Sequence, residues 1–113
     1  MELLEQLLPK FGNHKVILAN SVKAYLEAFP EQRQDMFASL EAEDRNSFEK
    51  AAHRLKGSVG FFAGPELVAN CQELESLSPE APFSELASLL ERTDKKLQAF
   101  SKQLVELLVE LEK

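Results

Sequence analysis

One histidine in this sequence stands where nucleophilic chemistry is most readily imagined: His53, within Ser47 to Gly64, SFEKAAHRLKGSVGFFAG. An unperturbed imidazole, with a pKa of about 6.5, is largely neutral near pH 7 and carries a lone pair for attack. Phe48, Ala52, Leu55, Val59 and Phe62 recur at spacings of four, three, four and three. On a helix turning about 100° per residue these form one apolar stripe, expected to be the buried face. His53 lies roughly 140° from the middle of that stripe, with Gly57 and Gly60 about 180° and 120° away, so all three point outward. Glycine inside a helix costs about 0.5 to 1 kcal/mol relative to alanine, so two on the outward face imply a need for room beside the imidazole. Lys56 sits on the flank, where its ammonium reaches toward the histidine one turn below. Lys50 and Arg54 point further round the outward face, where they suit an acidic partner surface.

The histidine helix is expected over about residues 44–62. Asp44 is a suitable N-cap, because its carboxylate can accept from the free amides two or three residues on. This start places His53 well inside a rigid element, and Gly64-Pro65 closes the helix and opens the next. That next helix buries Leu67, Val68, Cys71 and Leu74 and stops around Ser78-Pro79. A longer pattern then runs through Phe83, Leu86, Leu90, Thr93, Leu97, Phe100, Leu104, Leu107 and Leu111, spaced three and four throughout. Unbroken, it spans roughly 45 Å.

Upstream, Leu3, Leu4, Leu7 and Leu8 give Met1 to Phe11 a leucine face too short to be stable alone, ended by Gly12-Asn13. This segment must dock, and the apolar turns of LVELLVELEK at the far end of the chain are the expected partner. A homodimeric coil through that end is the rival explanation. From about His14 to Phe29, the spacing of Leu18, Val22, Tyr25, Leu26 and Phe29 predicts a second helix that ends near Pro30. Pro30 would open a short third helix with Met36, Phe37 and Leu40 facing inward. His14, beside the Gly12-Asn13 break, reads as solvated or capping. No stretch alternates with period two. The fold class is all-α: an up-down four-helix bundle with an additional short N-terminal helix, one domain over residues 1–113.

Ala52-His53-Arg54-Leu55-Lys56-Gly57-Ser58 resembles the AH-x-LKG-S signature of histidine-containing phosphotransfer (HPt) domains, the relay modules of multistep two-component signalling. Asp44 with Phe48 looks like that family's lead into the histidine helix, and Leu67, Cys71, Leu74 and Glu75 look like its following helix. The likeness is specific over roughly Leu26 to Leu77. One departure bears on where the histidine helix ends: the family usually carries glycine ten residues after the histidine, and this chain has Ala63 there with Gly64 next. The resemblance implies that His53 is a phospho-acceptor, through Nε2, with Lys56 stabilising phosphoryl charge and Lys50, Arg54, Gly57 and Gly60 meeting the partner. It implies receiver domains of response regulators or a hybrid sensor histidine kinase as partners, with the receiver supplying the aspartate and Mg²⁺.

Several function classes are excluded. A net charge of −6 argues against nucleic acid, which needs a basic face to release counterions. Apolar runs of only a few residues exclude membrane insertion, and the start lacks a basic segment followed by an apolar one, so the expected location is cytoplasmic. Cys71 is the single cysteine, so no intramolecular disulfide forms, and its place on a helical stripe makes it a core residue. Two histidines and one cysteine offer no metal-ligand spacing, and no metal or cofactor of its own is expected. Autokinases carry an acidic residue just after the histidine and a proline soon after, where this chain has Arg54 and Gly57. No glycine-rich phosphate loop is present, so the chain is expected to have no ATP-dependent kinase activity. The expected state is a monomer. The alternative function is a non-catalytic helical adaptor in which His53 is not phosphorylated and the glycines allow close packing.

Overall fold

Leu18, Val22, Tyr25, Phe29 and Met36 share one face only if their helix carries on through Pro30, and it does. The computed structural model describes all residues from Met1 to Lys113. A short helix α1 (Glu2–Leu7) runs into a tight turn of 3₁₀ helix at Leu8–Phe11, followed by α2 (Lys15–Glu41), α3 (Arg45–Val59), α4 (Pro65–Leu77) and α5 (Phe83–Leu111). Short connections at residues 42–44, 60–64 and 78–82 fold α2 to α5 into an up-down four-helix bundle, and there are no strands.

The break predicted at Pro30 is corrected: the expected second and third helices are one helix of 27 residues. Proline removes an N–H and so leaves the Leu26 carbonyl without its usual donor. Pro30 is exposed, and that carbonyl lies one turn below it on a half-buried residue. The opposite face decides the outcome. Phe29 and Met36 are both buried, and a break between them would turn one of them away from the core at about 1.5 to 3 kcal/mol per large apolar side chain. One turn beyond the proline, the Arg33 guanidinium donates to Asp94 of α5 from Nε (2.7 Å to Oδ1) and Nη2 (2.8 Å to Oδ2). Gln98 Nε2 donates to the same Oδ2 at 2.7 Å, so the buried Asp94 carboxylate is fully partnered.

The molecule measures 45 × 22 × 19 Å, and α5, at 29 residues and about 43 Å, runs its length. Helices α3 and α4, of 15 and 13 residues, flank only part of that span. Beyond them the exposed ends of the α2–α5 pair are covered by the N-terminal segment: α1 packs on α5 and the 3₁₀ turn on α2. Leu7 is buried there, with Leu3, Leu4, Leu8, Leu108 and Leu111 packed around the same core, as the leucine pattern predicts. Gly12 and Asn13 both adopt left-handed backbone (φ 63° and 62°) and end the segment where expected. Cys71 is fully buried, and burial pushes its thiol up to about 11, so it is a core residue and not a nucleophile. No helix is long and apolar enough to cross a membrane.

Because α2 is continuous, Pro30→Ala restores a helical N–H at a site with no compensating turn. It should stabilise the protein by about 2 kcal/mol, from about 3 kcal/mol of relieved helix strain less the smaller entropy proline removes from the unfolded chain. Denaturant unfolding with an unchanged or lower midpoint would mean that the helix does not need this bond.

Candidate functional site

The site is built on α3, whose start is fixed chemically. Asp44 is its N-cap in extended conformation (φ −98°, ψ 93°), with Oδ1 accepting from the Ser47 amide at 3.1 Å and Oδ2 from the Ser47 hydroxyl at 2.7 Å. The hydroxyl first and then the amide hold the Asp44 carboxyl below the usual carboxylate range, so the cap persists above that range and is lost as pH falls through the lowered value. Arg45 then fastens this end, Nη1 donating to the Ser78 and Ala81 carbonyls at 3.0 and 2.7 Å while the guanidinium lies 4.2 Å from the Phe83 ring centre. Phe48, Ala52, Leu55 and Val59 are all buried, which sets the rotation of the helix and turns His53 outward.

The helix ends earlier than the pattern predicts, at Val59 instead of about residue 62. The Val59 carbonyl accepts from both Phe62 (3.0 Å) and Ala63 (2.8 Å), a tight turn that still lowers Phe62 into the core. There it stacks on Phe11 (ring centres 5.9 Å apart) and meets Tyr25 edge-on at 5.7 Å. Gly60 is therefore a C-cap and not a helix-interior residue. A Cβ there would stand 3.1 Å from the Lys56 carbonyl oxygen, so its lack of side chain serves the turn. Gly57 is different: it is exposed inside the helix, and a Cβ built on it would meet nothing within 4 Å.

The His53 side chain is 69% exposed, and its Nδ1 lies 2.9 Å from Glu75 Oε1 on α4. The other carboxylate oxygen, Oε2, is 2.9 Å from Lys56 Nζ, which also donates to Gln72 Oε1 at 2.7 Å. Gln72 in turn donates from Nε2 to the Ser76 hydroxyl at 2.9 Å. The Lys56 ammonium is thus turned to α4 and reaches the imidazole only through the shared carboxylate. Lys56, and then His53, hold the Glu75 carboxyl below its ordinary range, so it is ionised near neutral pH and can only accept. An acceptor-only carboxylate takes this hydrogen bond from an Nδ1–H. In the neutral ring that proton leaves the lone pair on Nε2, which has no hydrogen-bond partner within the chain.

Of the other sequence-derived positions, Lys50 is exposed, and Arg54 lies on the same outward face with Nη1 3.5 Å from Asp35 of α2. That pair is open to solvent and adds little stability. His14 stands at the N-cap position of α2 with no side-chain capping bond and is exposed, remote in sequence from this cluster. Glu75 and Gln72 were missed as site residues by reasoning on α3 alone. Their signal lay in α4: with Leu67, Cys71 and Leu74 buried, residues 72 and 75 flank that stripe and face the helix beside them.

A family model, described as Hpt domain, matches residues 21–113. No match is found among curated proteins or solved structures. The matched span takes in most of α2 and all of α3, α4 and α5, and so contains His53, Lys56, Gln72 and Glu75 together. The chain belongs to the Hpt domain family, the histidine phosphotransfer carriers of two-component signalling.

Proposed function

We propose that this chain is a phosphorelay intermediate in which His53 accepts a phosphoryl group from a receiver-domain aspartate and passes it to another receiver domain. The observation that carries the reading is the division of labour between the ring nitrogens: Nδ1 is engaged by Glu75, and Nε2 has no partner within the chain on a ring that is 69% exposed. In the forward step the Nε2 lone pair forms the N–P bond while the acyl P–O bond of the aspartyl phosphate breaks, its electron pair returning to the aspartate carboxylate. The Nδ1 proton stays in place. The ring gains positive charge as it forms the bond, and the Glu75 carboxylate 2.9 Å away offsets it. Passing the phosphoryl group onward is the reverse of the same step.

Lys56, held at Glu75 one turn from the histidine on the same helix, is the chain's own positive charge near the phosphoryl group. Gly57 leaves open ground for a partner's loops, and Lys50 and Arg54 offer positive charge to an acidic receiver pocket. Receiver domains bring the aspartate and Mg²⁺, which supplies charge neutralisation on the phosphoryl oxygens, and the chain needs no nucleotide site of its own. Such a relay works in the cytoplasm. A monomeric carrier is supported by the burial of Leu104 and Leu107 within the chain, where α1 and the 3₁₀ turn take up the leucines that could otherwise seam a coiled coil.

The test is transfer from a panel of phosphorylated receiver domains. Wild type should acquire an alkali-stable, acid-labile phosphate and His53→Gln none, while Gly57→Leu should stay folded and block transfer. Lys56→Ala should slow transfer by about tenfold to a hundredfold, the scale of one charge-assisted hydrogen bond. Folded wild type that takes no label from any receiver would leave the helical-adaptor reading in its place. Independently, ¹⁵N spectra of the unmodified protein at alkaline pH should show the His53 proton on Nδ1. Glu75→Ala should release it toward the Nε2–H form, and an unchanged tautomer in that variant would remove Glu75 from the mechanism.

A further inference from the structure

Glu75 bears on the phosphorylated state as well as on the free one. Cleavage of an N–P bond returns an electron pair to Nε2. With a proton on Nδ1 the ring departs as neutral imidazole; without it the ring must depart as imidazolate, a far stronger base and a poorer leaving group. Attack by an acceptor aspartate and attack by water both depend on that proton. Whatever group holds it on the ring governs how long the phosphohistidine lasts.

We propose that Glu75 is a positioning residue that sets the chemical lifetime of the phosphohistidine, by keeping the Nδ1 proton on the phosphorylated ring and so holding the N–P bond in its labile form. The proposal rests on the reading of His53 as the phospho-acceptor. Its geometry is the shared carboxylate, with Oε1 2.9 Å from Nδ1 and Oε2 2.9 Å from the Lys56 ammonium. Glu75 therefore does two things at once. It attracts the ring proton directly, and it screens that proton from Lys56, a cation that would otherwise expel it.

The remaining charges around the ring do not duplicate this role. On α3, Glu49, Lys50 and Arg54 are exposed, and on α2 Asp35 is engaged by Arg54. From α4, Glu75 is the carboxylate in contact with the ring, and Gln72 beside it is neutral and bound to Lys56. With Glu75 ionised and Lys56 charged the pair sums to zero, so the proton on a phosphorylated ring meets no net repulsion. Remove the carboxylate charge, and the ring proton and the ammonium become neighbouring cations with no counter-ion between them.

Glu75→Gln isolates the charge, because its Oε1 can still accept from Nδ1–H and its volume is conserved. A carboxylate in hydrogen-bond contact favours the charged form of a neighbouring cation, and at an exposed ring the loss of that one charge changes the protonated fraction by about tenfold. Full-length protein is phosphorylated with phosphoramidate, in which Nε2 attacks phosphorus and ammonia departs, and ³¹P NMR follows the phosphohistidine between pH 6 and 10. His14 is the other histidine, and a His53→Gln sample identifies its signal.

At pH 9, Glu75→Gln should lose its His53 phosphate about tenfold more slowly than wild type, with the midpoint of the pH–rate profile lowered by about one unit. Lys56→Met should move that midpoint the other way, which general damage to the site would not do. Equal decay rates and equal midpoints in wild type and Glu75→Gln would overturn the inference while leaving His53 as the phospho-acceptor. Absence of any phosphohistidine at His53 in folded wild type would overturn the phosphorelay reading and this inference with it.

Discussion

A single carboxylate ties the imidazole and the ammonium of one helix to the helix beside it, and the role proposed for His53 depends on that tie. Imidazole is ambident: either nitrogen can carry the proton, and a freely rotating ring offers both to a partner. The contact between Glu75 and Nδ1 removes the ambiguity by leaving one lone pair and one direction. For the contact to exist, α3 and α4 must lie side by side in a register that sets residue 75 against residue 53. That requirement falls on parts of the molecule that do no chemistry.

The register comes from both ends of α3 and from its underside. Asp44 and Arg45 fix the start, one by capping and the other by reaching the carbonyls of the α4–α5 connection. The tight turn after Val59 fixes the end by lowering Phe62 between Phe11 and Tyr25. Between them the stripe of Phe48, Ala52, Leu55 and Val59 is buried against the neighbouring helices, so the outward face can carry an exposed histidine and a helical glycine without holding the fold together. The α2–α5 pair is the longer scaffold, clamped by Arg33, Asp94 and Gln98. Its unflanked end is closed by the N-terminal leucines.

What could be read from the sequence follows from which forces are local. The buried stripe of α3, the Asp44 cap, the Gly12-Asn13 break and the 83–111 helix each depend on spacing or on one residue's backbone preference, and each stands where the pattern puts it. Pro30 misled because its local signal, a missing N–H, is outweighed by burial on the opposite face and by an ion pair to a residue 61 positions away. The end of α3 was misplaced because Phe62 fits the stripe whether it is helical or in the following turn; burial alone does not distinguish the two. Of the candidate site, the outward histidine and the open ground at Gly57 were legible from helical angles. The partner of Lys56 was not. A flexible lysine is captured by whatever acid the neighbouring helix presents, and helical pattern along α3 carries no information about the register of α4.

The most direct measurement is the position of the phosphate itself. Phosphoryl transfer to uniformly ¹⁵N-labelled protein from a phosphorylated receiver domain, followed by ³¹P–¹⁵N coupled spectra, should show one new N–P bond, at Nε2 of His53, with the proton retained on Nδ1 near neutral pH. Phosphate on Nδ1, or on any residue other than His53, would contradict the division of roles between the two ring nitrogens.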